Sequence, residues 1–334
     1  MPRASNTPPP RSKLTSLLMA VLIAALVVEI GGRCFYYHRG PVDSFALVQM
    51  FRDAQGWRRD QTIRSALDDL NAAAAAGGER AQHAARYGLI FARFVELCRL
   101  ADAKLVVLYI PGPSGHDAVA HGLFSRLSSE HDVPFLDATT ELARFPVEVA
   151  YLMPEDGHLS RFGSHVVAGA LLAFLEPWRS HRSAVSHDDR PALLGDLEPS
   201  ANYVFWEGAP LPCRVITNSQ GLRREADLEF PRPVRTRVLC IGDSYTFGAS
   251  LHNPQCFPQV LERTDPELEV INAGISGYTI CDEYSYFEER GRFTEPDIVV
   301  LQVFPNDLDG FEPELQRTFC RGGEFCPARG EQRR

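Results

Sequence analysis

Short runs of aliphatic and β-branched residues recur along the chain, each closed by glycine, proline or a small polar residue. Lys104–Pro111 is one, ending in Pro-Gly-Pro, and Val133–Asp137 is a shorter one. Beyond residue 236 the pattern returns in Arg237–Ile241, Leu268–Asn272 and Asp297–Val303. Apolar runs of this length without alternation are those of strands buried on both faces. Between them the spacing turns helical, over Asp117–His131, Phe162–Leu175, Phe257–Arg263 and Asp282–Gly291. In Phe162–Leu175 the residues Phe162, Val166, Val167, Ala170, Leu171 and Phe174 share one face. Strands alternating with helices imply a parallel sheet covered on both sides. The expected fold class is α/β, a three-layer α/β/α arrangement around a five-stranded, mostly parallel sheet, with two strands early and three late.

The rest of the pattern is less regular. Phe45–Leu100 is helical in spacing, with a break near Ala72–Gly78. Glu176–Ser200 is charged and Tyr203–Pro233 irregular, with a turn at Asn218–Gly221, so 179–217 reads as a linker. Residues 312–334 read as a mobile charged tail and residues 1–13 as a disordered one, rich in proline and small polar residues. Leu14–Val28 carries no charge, and extended to residue 32 it approaches the roughly 20 residues of a membrane span. Phe35, Tyr36 and Tyr37 follow as an interfacial belt. Segment 14–32 is expected to be a single-pass signal anchor, with a cleaved signal peptide as the competing reading because Glu29 interrupts the run. Either way the remaining chain is exported, to the periplasm or beyond. Arg3, Arg11 and Lys13 ahead of the span, against Arg33 and Arg39 after it, favour a cytoplasmic N-terminus.

Composition narrows the function classes. The 334 residues, 45% of them hydrophobic, suffice for one large core or two modest ones. With 43 acidic against 34 basic residues the net charge is −9, which argues against nucleic acid as a partner. Lys13 and Lys104 are the only lysines, a composition effect rather than a binding signal. The eight cysteines form no disulfide framework in a chain this long, though Cys320 and Cys326 could close a small loop. None has zinc-site spacing, and neither a metal nor a cofactor is expected.

The candidate chemistry lies at the ends of the late strands. Val238–Ile241 runs into Gly242-Asp243-Ser244, which delivers a serine hydroxyl to the carboxyl edge of the sheet, where open α/β sheets place their sites. Such a hydroxyl is a nucleophile if a base and an oxyanion hole are supplied; otherwise it is a turn serine capping the next helix. The next strand ends in Asn272-Ala-Gly-Ile-Ser-Gly277, whose glycines free backbone N–H groups, and the last in Phe304-Pro-Asn306-Asp307, which offers an amide. The Ser244 and Gly277 N–H groups and the Asn306 amide would together make an oxyanion hole; each alone could equally serve a turn.

These three blocks, in this order, resemble the SGNH hydrolase superfamily, also called GDSL esterases and lipases. The resemblance spans roughly 218–311 and includes Asn218-Ser-Gln-Gly-Leu-Arg223 ahead of the nucleophile strand. It implies a flavodoxin-like three-layer domain, a serine nucleophile and no cofactor. The family's final block, an acid and a histidine before a helix, is absent from the late half, where no histidine follows His252. Glu155-Asp156-Gly157-His158 ahead of the Phe162 helix looks like that block, and Lys104–Ile110 and Val133–Asp137 resemble the family's fourth and fifth strands. The expectation is one catalytic domain in permuted order, residues 45–178 joined to 218–311, similar to the alginate O-acetyltransferases, where Asp-x-His also precedes the serine. The resemblance implies His158 as base and Asp156 as orienting acid; the commoner Asp-x-x-His spacing would select Glu155 instead.

Other candidates stay open at this level. His116 and His121 follow the Pro-Gly-Pro loop as alternative bases, and His165 reads as a packing or surface residue. Asp243 and Asp307 read as helix caps or backbone binders, Asp307 also as a support for Asn306, while Tyr203 to Trp206 pack or line a substrate surface. The expected activity is hydrolysis of carboxylic esters of a small molecule, lipid or polysaccharide. The alternatives are O-acyl transfer to an envelope polysaccharide, a non-catalytic envelope binding protein, or the product of a rearranged gene.

Overall fold

In the computed structural model, which describes residues 79–308 apart from 116, 155, 180–189 and 206–212, five apolar runs form one sheet. They are β1 (Lys104–Tyr109), β2 (Phe135–Asp137), β5 (Thr236–Ile241), β6 (Leu268–Asn272) and β7 (Ile298–Val303). All pairings are parallel and the order is β2-β1-β7-β5-β6. β7, from the late part of the chain, lies between β1 and β5, so that Val300 is opposite Val106 on one side and Cys240 on the other. Strands on both sides of the 179–217 segment therefore build a single sheet. Counted from β5, the order reads 2-1-3-4-5, a doubly wound topology whose switch point falls between β5 and β7.

Alternation of side chains along the strands creates two cores. Val107, Tyr109, Leu239, Ile271 and Leu301 pack with α1 (Glu79–Leu100), α2 (Ala118–Glu130) and α8 (Ile280–Glu289). Val106, Leu108, Val238, Val270 and Val300 face the other layer, which includes α3 (Thr139–Leu142), α4 (Val147–Ala150), α5 (Arg161–Leu175) and α7 (Phe257–Thr264). This is the three-layer α/β/α fold expected from the sequence.

Details differ from the sequence reading. The face that α5 buries is Gly163, Ser164, Val167, Ala168, Leu171 and Leu175, while Phe162 is 42% exposed and packs edge-on against Phe145. Gly163 lies against α4 so closely that a Cβ would stand 2.1 Å from the Ala150 carbonyl, and that approach sets the helix rotation. The stretch expected to be irregular contains an antiparallel hairpin, β3 (Asn202–Phe205) with β4 (Cys213–Ile216). The segment expected as a linker also buries Leu194, Leu197, Cys213 and Val215 in the core of the α1 face. Its charges do not keep it in solvent, because Arg190 pairs with Glu295, and Asp196 with Arg290 at 2.6 Å.

The expected anchor 14–32, both terminal tails, residues 45–78, and the Cys320 and Cys326 pair lie outside the described residues. Among the described residues no helix is long and apolar enough to cross a membrane.

Candidate active site

The end of β5 is a tight strand-to-helix turn. At Gly242 a Cβ would meet Thr246 Oγ1 at 2.4 Å and Gln302 Oε1 at 2.5 Å, so a side chain there would push the Thr246–Gln302 contact aside. Asp243 caps α6 (Ser244–Phe247), accepting the Tyr245 N–H at 2.9 Å. Gln302 of β7 steadies the same helix, its Oε1 accepting from Thr246 N at 3.2 Å and Thr246 Oγ1 at 2.8 Å. Ser244 is thereby fixed as the first residue of α6, at the switch point of the sheet.

His158 comes from a closed loop between α4 and α5. An antiparallel bridge joins Tyr151 to Leu159, Leu152 N donates to His158 O at 2.9 Å, and Asp156 N donates to Leu152 O at 2.9 Å. Ser160 then caps α5 through Gly163 N at 3.0 Å. The Tyr245 hydroxyl donates to Gly157 O at 2.8 Å, tying this loop to α6. Tyr245 also stacks on Phe304, with ring centroids 4.2 Å apart, and packs against His158.

Within this frame His158 Nε2 lies 2.8 Å from Ser244 Oγ, and His158 Nδ1 lies 2.6 Å from Asp156 Oδ1. Asp156 Oδ1 also accepts the His158 backbone N–H at 3.1 Å, while Oδ2 accepts from Ser250 Oγ at 3.0 Å. Burial alone would push the Asp156 carboxyl up. The hydrogen bonds and charge of His158, joined by the Ser250 hydroxyl, outweigh it and hold the acid below the ordinary aspartate value. Partial burial leaves a carboxylate facing an imidazole that in turn faces a hydroxyl, an arrangement able to take a proton from Ser244.

Gly277 and Asn306 follow the carboxyl ends of β6 and β7. Gly277 has φ +79 in a turn closed by Tyr278 N donating to Ile275 O at 3.1 Å. Ile275 N donates to Gly242 O at 3.1 Å, which fastens this turn to the end of β5. Asn306 lies in the 3-10 turn Pro305–Leu308. Its neighbour Asp307 accepts the Phe304 N–H at 3.0 Å, the backbone role expected for it.

The alternative bases are elsewhere or undescribed. His121 pairs with Asp137 at 2.9 Å rather than with Ser244. His165 holds the Arg161 carbonyl at 2.8 Å on the exposed face of α5. His116, Glu155 and Trp206 lie outside the described residues, and Tyr203 packs half-buried against the core. Ser250, Tyr245 and Gln302 were missed from the sequence, where nothing marks them. Among the described residues no group of three His, Cys, Asp or Glu side chains could hold a metal ion.

No protein-family model matches the chain, and no curated protein matches it. Among solved structures it is similar to the O-acetyltransferase domain of Pseudomonas putida AlgJ, at 16% identity over 73% of this chain and 91% of that one, with a TM-score of 0.44. Pseudomonas aeruginosa AlgX follows at 13% identity, covering 70% of this chain and 58% of that one, TM-score 0.36. Bacillus cereus PatB1, solved with a sulfonyl adduct, is 8% identical over 68% of this chain and 91% of that one, TM-score 0.34.

Proposed function

We propose that the protein is a serine hydrolase of the SGNH type that cleaves carboxylic esters through an acyl-enzyme on Ser244. The observation that carries this reading is the continuous line of contacts from Ser244 Oγ through His158 to Asp156, 2.8 and 2.6 Å long. His158 Nε2 takes the Ser244 proton as Oγ attacks the ester carbonyl carbon. Asp156 holds the imidazole in the tautomer that leaves Nε2 free to accept, and balances the imidazolium that forms. Negative charge on the former carbonyl oxygen is met by the Ser244 and Gly277 N–H groups and the Asn306 amide. Loss of one such donor costs about 3 kcal/mol in the barrier. Collapse breaks the C–O bond, and the leaving alkoxide receives the proton held by His158. Water, its proton taken by His158, then attacks the acyl carbon; the acyl–Oγ bond breaks, His158 returns the proton to Ser244 Oγ, and the acid leaves.

The placement of Asp156-Gly157-His158 ahead of Ser244 in the chain favours a second reading. That order is the one seen in the alginate O-acetyltransferases that the sequence resembles. Under it the acyl group passes to a sugar hydroxyl of an envelope polysaccharide instead of to water, with the same residues in the same roles. Segment 14–32 anchors the chain in a membrane with the catalytic part exported, which fractionation and protease treatment of intact cells tests.

Acid-quenching the protein during turnover of p-nitrophenyl acetate, followed by peptide mass spectrometry, tests the acyl-enzyme. An acetyl group on the Ser244 peptide, absent from Ser244→Ala, supports it. A folded protein that neither turns over the ester nor carries the acetyl contradicts it. Adding an acetyl-free polysaccharide to the same reaction separates the two readings by where the acetyl ends up.

A further inference from the structure

Ser250 stands in the left-handed region, at φ +65, which disfavours any side chain with a Cβ. The buried Arg223 holds the loop there. Its Nη1 donates to the carbonyls of Phe247 and Gly248 (3.1 Å for the second), its Nη2 to the Leu251 carbonyl at 2.5 Å, and its Nε to Asn253 Oδ1 at 3.1 Å. The guanidinium also lies over the Phe247 ring, 4.2 Å from its centroid. Carbonyls on both sides of Ser250 are thus gripped by one rigid planar group, and Leu251 N closes the turn onto Gly248 O at 3.1 Å. This arrangement aims the Ser250 hydroxyl outward, where Oγ donates to Asp156 Oδ2 at 3.0 Å.

We infer that Ser250 is a positioning residue for the acid of the proposed triad, and that Arg223 is the anchor that presents it. The inference rests on the reading of Ser244, His158 and Asp156 as catalytic. Among the described residues, Asp156 Oδ1 is engaged by His158, through Nδ1 and its backbone N–H. A carboxylate gripped by one oxygen can still swing about its Cβ–Cγ bond. The Ser250 hydroxyl on the other oxygen fixes the carboxylate plane, and with it the direction in which Nε2 faces Ser244. Asp156 and His158 sit on the loop before α5, whereas Ser250 follows α6, so this contact also joins the nucleophile element to the acid element.

A serine kept only for its backbone would be replaced best by glycine, which adopts φ +65 without strain. That makes Ser250→Gly the decisive variant. It keeps the loop conformation and removes the hydroxyl, so the melting temperature stays close to wild type. The rate of Ser244 labelling by a fluorophosphonate falls about tenfold, the scale of one hydrogen bond to a charged group. With p-nitrophenyl acetate the loss is in kcat and not in KM. Ser250→Asn, which tolerates the left-handed region and carries an amide donor, recovers much of the rate. Ser250→Gly labelling at the wild-type rate, or Ser250→Asn no faster than Ser250→Gly, overturns the inference while leaving the triad reading intact. Absence of labelling on folded wild-type protein removes the triad reading, and this inference with it.

Discussion

His158 Nε2 and Ser244 Oγ lie 2.8 Å apart although 86 residues separate them in the chain. The contact forms because β7 pairs with β1 on one side and β5 on the other, bringing the loop after α4 and the turn after β5 to one edge of the sheet. Neither part of the chain could make it alone. The early part brings the His158 imidazole and the Asp156 carboxylate, and the late part the Ser244 hydroxyl.

Replacing Asp156 with Asn tests what the acid does. The amide can present a donor to Nδ1, which favours the tautomer with its proton on Nε2, where a base must be bare. By the arithmetic of such triads, kcat for p-nitrophenyl acetate falls by about four orders of magnitude while the fold persists. The stability profile also changes, because the Asp156 pKa is depressed in the fold. Its contribution is present above the unfolded value of about 3.9 and lost as pH falls through the folded value. Asp156→Asn should therefore flatten the acid end of a melting-temperature profile; an unchanged acid limb would contradict the assignment.

Glu283 predicts the opposite sign. Its carboxyl is buried in α8, and among the described residues neither oxygen has a hydrogen-bond partner. Burial, then the charges of Asp307, Asp243 and Asp282, raise its pKa well above the ordinary value. A carboxyl held neutral this way contributes fully below its unfolded value of about 4.3, and that contribution is lost as pH rises through the folded value. Glu283→Gln should melt higher than wild type at alkaline pH and equal it at pH about 4. Parallel profiles would show that Glu283 is not the responsible group.

Two glycines near the site should respond differently to alanine. At Gly274 a Cβ would stand 2.3 Å from Phe247 N and 2.6 Å from the Thr246 carbonyl carbon, both backbone. Gly274→Ala must displace α6, so it should slow labelling of Ser244 as well as lower the melting temperature. Gly277 sits at φ +79, where an L-residue costs roughly 1–2 kcal/mol. Gly277→Ala should show that loss in chemical denaturation. A Gly274→Ala protein with normal stability and labelling would contradict the close packing.

Legibility followed the length and chemistry of each signal. β1, β5, β6 and β7 were readable because a strand buried on both faces needs an unbroken apolar run. Ser244, His158 and Asp156 were readable as parts of motifs, and the structure brings them together. The β3–β4 hairpin was not, since an alternation such as Cys213 buried, Arg214 exposed, Val215 buried is too short to stand out from irregular chain. Arg223 and Arg237 are fully buried, against every expectation for arginine, because carbonyls of the loop after α6 satisfy one and Glu269, at 2.6 Å, the other. Ser250 left no trace, since neither its φ nor its distant acceptor is written in its neighbours.

The most direct measurement is fluorophosphonate labelling of the wild type and of His158→Ala, with the modified peptide identified by mass spectrometry. A single site joined across the two parts of the chain gives a label on Ser244 in the wild type and loses it in the folded variant. Labelling of Ser244 that persists at the wild-type rate in His158→Ala would contradict it.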